Sequence, residues 1–102
     1  MVISFQTLIE LEYGALLAGW GEVRRRRLTA LVSRARIVWA RRDLTHTCVE
    51  LRTHCHRVGH PIAQPVHFSD LWIAATAVHL GLPLVSDDRL FDGVPGLLRA
   101  RP

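Results

Sequence analysis

Cysteine is scarce in this chain of 102 residues, at two positions only. Cys48 and Cys55 are too few for a disulfide scaffold, and no secretory signal precedes them. They stand seven residues apart, on one side of a predicted helix, and read as reduced, buried thiols. Long apolar runs are missing as well. The longest uncharged stretch, 71–86, is broken by Gly81 and Pro83 and falls short of the roughly 20 residues a spanning helix needs. The expectation is a soluble, cytosolic protein with no membrane segment. Internal repeats and low-complexity linkers are absent. So are the C-x-x-C and H-E-x-x-H metal spacings, the G-x-S-x-G elbow and a phosphate-cradling glycine loop.

Lysine is absent too, so all thirteen basic residues are arginines, set against nine acids for a net charge of +4. Eight of the arginines fall in 24–42, a segment without a single acid. The rest of the chain is net negative. A basic segment beside an acidic remainder points to a polyanion partner and a separate carboxylate site, although an arginine run can also be a solvated helix face. Apolar residues make up 49% of the chain, which makes a packed core possible and argues against whole-chain disorder. The length suits one domain, which would bury about 60–65% of the surface of its unfolded chain.

The pattern predicts alternating helices and strands. Ser4 caps a helix through about Ala18, with Leu8, Leu11 and Ala15 on one face, and Gly19 and Gly21 end it. A second helix covers 22–33, with an apolar stripe of Leu28, Leu31, Val32 and Ala35. Arg24 falls on that stripe and Arg26 away from it, so some arginine stems must lie along apolar surface. The β-branched segment 36–40 reads as a strand. Asp43 or Thr45 caps a third helix ending near Gly59, and Pro61 and Pro65 make 60–67 a loop. Ser69 caps a fourth helix, which Gly81 stops. The segment 82–86 reads as a buried strand, 92–96 as a turn and 97–101 as a last edge strand. The fold class is α/β, a parallel sheet flanked by helices. With two or three strands visible and a helix cap almost at the start, the domain looks as if it lacks its first strand.

Four acidic residues attract chemistry. Glu10 lies on a stripe with Thr7, Gly14 and Leu17, where small neighbours leave space above it; it can equally be an exposed helix glutamate. Asp70 occupies the first turn of an otherwise apolar helix, where the helix dipole alone would favour an acid. Asp87 and Asp88 follow a strand directly, and open α/β sheets bind ligands beyond the carboxyl ends of their strands. Crowded carboxylates repel, and a hard divalent cation such as Mg²⁺ or Mn²⁺ offsets that repulsion.

Three segments carry a resemblance. Ser4 to Leu11 matches the S-x-x-T-x-x-E-L pattern of PIN domains. Asp70 to Ala77 matches their D-x-x-I-A-A-T-A helix. Leu84 to Phe91, followed by V-P-G-L at 94–97, matches L-V-T-x-D-x-x-F and its downstream turn. The order and spacing agree over essentially the whole chain, which is similar to the VapC toxins of bacterial toxin–antitoxin pairs. The resemblance implies a PIN-like parallel sheet and a Mg²⁺- or Mn²⁺-dependent endoribonuclease. Glu10, Asp70 and Asp88 would be catalytic and hold the metal, with Asp87 as an additional or substitute ligand. Ser86 takes the place of the family threonine and keeps its hydroxyl; it and Thr7 would be supporting residues. The family's fourth acid ends a first, central strand upstream of the S-x-x-T segment, so this chain reads as a single domain incomplete at its N-terminus. An antitoxin partner and a homodimer are also implied.

Arginines of 24–42 would contact RNA phosphates, Arg25, Arg26, Arg41 and Arg42 among them, in a salt-sensitive way. Trp39 can stack on a base but sits in the predicted strand, where a core role is expected. Most of the six histidines read as surface or loop residues. His67, three residues before Asp70, belongs at the rim of the site. The alternative function is a non-catalytic PIN remnant that only binds antitoxin or RNA. A basic DNA-binding helical protein finds no helix-turn-helix pattern to support it. A domain without its central strand should aggregate or pack loosely unless a partner covers the gap.

Overall fold

The computed structural model describes Met1–Pro102, which divide into two compact units, Met1–Trp39 and Ala40–Pro102. No helix is long and apolar enough to cross a membrane.

The first unit is β1 (Val2–Ser4), α1 (Phe5–Leu17), α2 (Glu22–Ser33) and β2 (Arg36–Val38). β1 is an element the sequence pattern did not predict, three residues that pair parallel to β2 with Ile3 opposite Ile37. At that length no alternation can be read, and only the partner strand satisfies its backbone. Ser4 then turns the chain into α1, its hydroxyl accepting from the Thr7 N–H at 3.1 Å. That hydroxyl serves one of the helix's orphan donors. Both helices keep the predicted limits, but their apolar stripes are only partly covered. Ala15 is the one buried residue of α1, and α2 has none. Leu31, expected on a buried stripe, is 53% exposed. Trp39 is not a core residue: β2 stops at Val38, and the indole one position later is 55% exposed.

The second unit holds the core. It runs through α3 (Arg42–Arg57), two single-turn 3₁₀ helices (Pro61–Ala63 and Pro65–His67), α4 (Phe68–Leu80), β3 (Leu84–Val85), a third 3₁₀ turn (Arg89–Phe91) and β4 (Arg99–Ala100). α3 packs on α4 through Cys48, Leu51, Cys55, Leu71, Ala74 and Ala75, with Ile62, Phe91 and Val94 closing the cluster. Cys48 and Cys55 are free and buried, as expected, and burial pushes both thiols above the usual cysteine range. Two caps differ from the predicted ones. Arg41 precedes α3, and Asp43 instead sits in its first turn and accepts from the Leu44 N–H at 2.9 Å. His67 precedes α4, because the preceding 3₁₀ turn runs straight into the helix and leaves Ser69 inside it. Gly81 ends α4 in the left-handed conformation at φ 64°, as a C-terminal glycine does. β3 and β4 pair parallel, Leu84 opposite Arg99. β3 is not the buried strand expected, since Val85 is 61% exposed.

Candidate active site

Ser86, Asp87 and Asp88 leave the carboxyl end of β3, the edge at which open α/β sheets bind ligands. Short polar side chains fold this segment back on itself. The Ser86 hydroxyl accepts from the Asp88 N–H at 3.1 Å. Asp88 Oδ1 in turn accepts from the Leu90 N–H at 2.9 Å and caps the 3₁₀ turn that follows. Oδ2 takes no part in this turn. A threonine at 86 would supply the same oxygen, so serine preserves the local geometry.

Arg99, on β4, reaches over the same segment. Its Nη2 donates to the carbonyls of Ser86 (2.8 Å) and Asp88 (3.1 Å), and its Nη1 to Asp92 Oδ1 (2.9 Å). A polar groove of about 440 Å³ opens here, lined by Ser86, Asp87, Arg89, Asp92, Arg99, Ala100 and Arg101. The three arginines escaped the sequence reading. Arg99 lies more than ten residues from Ser86, and only the β3–β4 register puts it there. No local spacing carries that signal.

Asp70 stands in the first turn of α4, where the helix N-terminus favours negative charge. His67 Nδ1 lies 3.9 Å from Asp70 Oδ2, and both side chains are partly buried. That distance is too long for a hydrogen bond, but it puts His67 beside Asp70. Further along, His79 ties α4 to α3, its Nε2 lying 3.2 Å from Asp43 Oδ2 and its Nδ1 2.9 Å from Thr47 Oγ1.

Glu10 and Thr7 belong to the first unit. Glu10 is exposed on α1. The Thr7 hydroxyl lies 3.0 Å from the Ser4 hydroxyl and so forms part of the helix cap. Arg25, Arg26, Arg41 and Arg42 are all exposed. Arg26 pairs with Glu22 one turn back, and Arg24 lies over the Trp20 ring at 5.9 Å.

Inside neither unit do three His, Cys, Asp or Glu side chains converge as a ready-made metal cage. The donors present are nonetheless of the right kind. Mg²⁺ and Mn²⁺ prefer hard carboxylate oxygens, and Mg²⁺ commonly takes only one or two, with water and phosphate oxygens filling the shell.

Residues 1–97 match the PIN domain family model. The chain is 34% identical over 92 residues to Ribonuclease VapC5 of Mycobacterium tuberculosis, a match covering 88% of this chain and 65% of that protein. It thus spans just under two thirds of its curated relative. It is also similar, at 28% identity and a TM-score of 0.81, to a crystal structure of VapBC2 from Rickettsia felis bound to a DNA fragment from their promoter; that match covers 98% of this chain and 73% of the other. An acid-bearing turn at a strand's carboxyl end, an acid opening an apolar helix, and a family match along nearly the whole sequence agree: the chain belongs to the PIN domain family.

Proposed function

We propose that this chain is a divalent-metal-dependent endoribonuclease, the toxin of a toxin–antitoxin pair. The observation that carries the reading is the Ser86–Asp88 turn. Asp88 is held there through its N–H, its carbonyl and one carboxylate oxygen, at a strand's carboxyl end in a PIN-family chain. Glu10, Asp70 and Asp88 are the catalytic acids and would hold the ion, with Asp87 as a further ligand. The bound ion, Mg²⁺ or Mn²⁺, would polarise a phosphoryl oxygen and activate water. Ser86 orients Asp88 through its backbone, and Thr7 secures the helix that carries Glu10. Arg25, Arg26, Arg41 and Arg42 bind RNA phosphates. A cognate antitoxin and a homodimer are part of the reading. Support for a partner comes from the VapBC2 relative, and support for the ribonuclease activity from the VapC5 relative.

The test is cleavage of a structured RNA by the purified chain with Mg²⁺ or Mn²⁺. Asp70→Asn and Asp88→Asn should each lower the rate on the order of 100-fold or more, since the ion contributes several kcal/mol to the transition state. Cleavage that persists in EDTA and in both variants refutes the metal mechanism. The second reading, a chain that binds RNA or antitoxin without cutting, is favoured by one observation. All eight arginines of 24–42 are exposed, so phosphate contacts need none of the acids. Salt-sensitive RNA binding without cleavage at any metal concentration would establish it.

A further inference from the structure

We propose that Arg99 is a positioning residue for the acidic site: it clamps the 86–92 segment so that the Asp88 carboxylate is presented in one orientation. The inference rests on the reading of Asp88 as a site acid and adds to it the residue that orders it. Asp88 lies on an exposed turn, and in 86–92 the core packing comes after it, at Leu90 and Phe91. Around the acid itself, the neighbouring strand supplies contacts. The β3–β4 register sets Arg99 opposite Leu84, two residues before Ser86. From there one planar guanidinium spans three acceptors, the carbonyls of Ser86 and Asp88 and Asp92 Oδ1. The first two flank Asp87 and the third lies beyond the 3₁₀ turn, so the clamp closes both ends of the segment. The Arg99 cation also lies 5.7 Å from the Phe91 ring centre, and Phe91 is a core residue. The clamp is therefore anchored to the interior. Arg99 Nε is buried without an acceptor, so the hydrogen bonds of the clamp come from the two Nη nitrogens.

Lysine cannot replace this arrangement. An ammonium is a point charge that can keep the ion pair with Asp92, but it lacks the planar fork that reaches both carbonyls as well. Arg99→Lys therefore separates charge balance from positioning. Two readouts on the full chain test the clamp: Mn²⁺ affinity by electron paramagnetic resonance, and amide hydrogen exchange at Asp88 and Leu90 without metal. Arg99→Lys and Arg99→Gln should weaken Mn²⁺ binding by about tenfold or more, as loss of an orienting partner does. Both amides should exchange faster, and RNA cleavage should recover at saturating Mn²⁺. A folded Arg99→Lys chain with unchanged exchange at Leu90, or with unchanged Mn²⁺ affinity, overturns the proposal. If the Arg99 variants lose their circular dichroism, Asp92→Ala removes one of the three contacts in a folded chain. It should shift both readouts in the same direction but less, and no shift overturns the proposal. Asp88→Asn separates the two claims. Undiminished Mn²⁺ binding in that variant sinks the active-site reading itself. Loss of binding there, beside normal binding in Arg99→Lys, sinks only the clamp.

Discussion

At the residue scale, side chains serve their own backbone before they serve a ligand. Ser4, Asp43, Ser86 and Asp88 each accept from a nearby N–H, which is why short polar residues gather at helix starts and turns. Asp43 shows the electrostatic consequence. The Leu44 N–H holds its carboxyl below the usual carboxylate range; desolvation opposes it, and His79 adds to the lowering. A carboxyl whose pKa is lower folded than unfolded stabilises the fold above its unfolded pKa, and that contribution is lost as pH falls through the folded value. Asp43→Ala should therefore melt below the parent chain near neutral pH. The gap should close as pH falls below the ordinary aspartate range. Paired melting curves across that interval check it, and a constant gap would contradict the assignment.

At the element scale, the helices and three of the four strands were legible, and β1 was not. α1 and α2 match their predicted limits because caps and glycines mark them in the local sequence. β1, of three residues, is too short for a periodic signal and exists through its parallel partner β2, whereas the strands expected at 36–40, 82–86 and 97–101 are present but shorter. The end of α4 illustrates a local rule that held. Gly81 adopts φ 64°, and a Cβ added there would meet no atom within 4 Å. The cost of Gly81→Ala is thus one of backbone conformation and not of crowding. It should lower stability by about 1–2 kcal/mol, the penalty of a left-handed non-glycine residue, read from the urea midpoint at unchanged slope.

At the scale of the whole molecule, the two units are unequally provisioned. The second has a contiguous core of ten buried residues. The first buries only Ala15 and Ser4, while Ile9, Tyr13, Leu16, Leu17 and Val23 are each more than half exposed. Apolar surface of that extent marks an interaction face or an aggregation site. The purified chain alone should self-associate and bind a hydrophobic dye, and light scattering with dye fluorescence measures both. A monomer with a sharp melt and no dye binding would contradict this expectation.

Local chemistry was readable from the residues in order. The capping serine, the terminating glycine, the acids at 70, 87 and 88 and the spacing of the three family segments all depend on neighbours a few positions away. The sequence by itself therefore determined the helices, the family and the candidate acids. Tertiary structure alone decided which short segments pair as strands, that Trp39 faces solvent, and that Arg99 closes over Asp88. Those outcomes depend on contacts between residues far apart in the chain, whose free energy exists only once distant backbone groups meet.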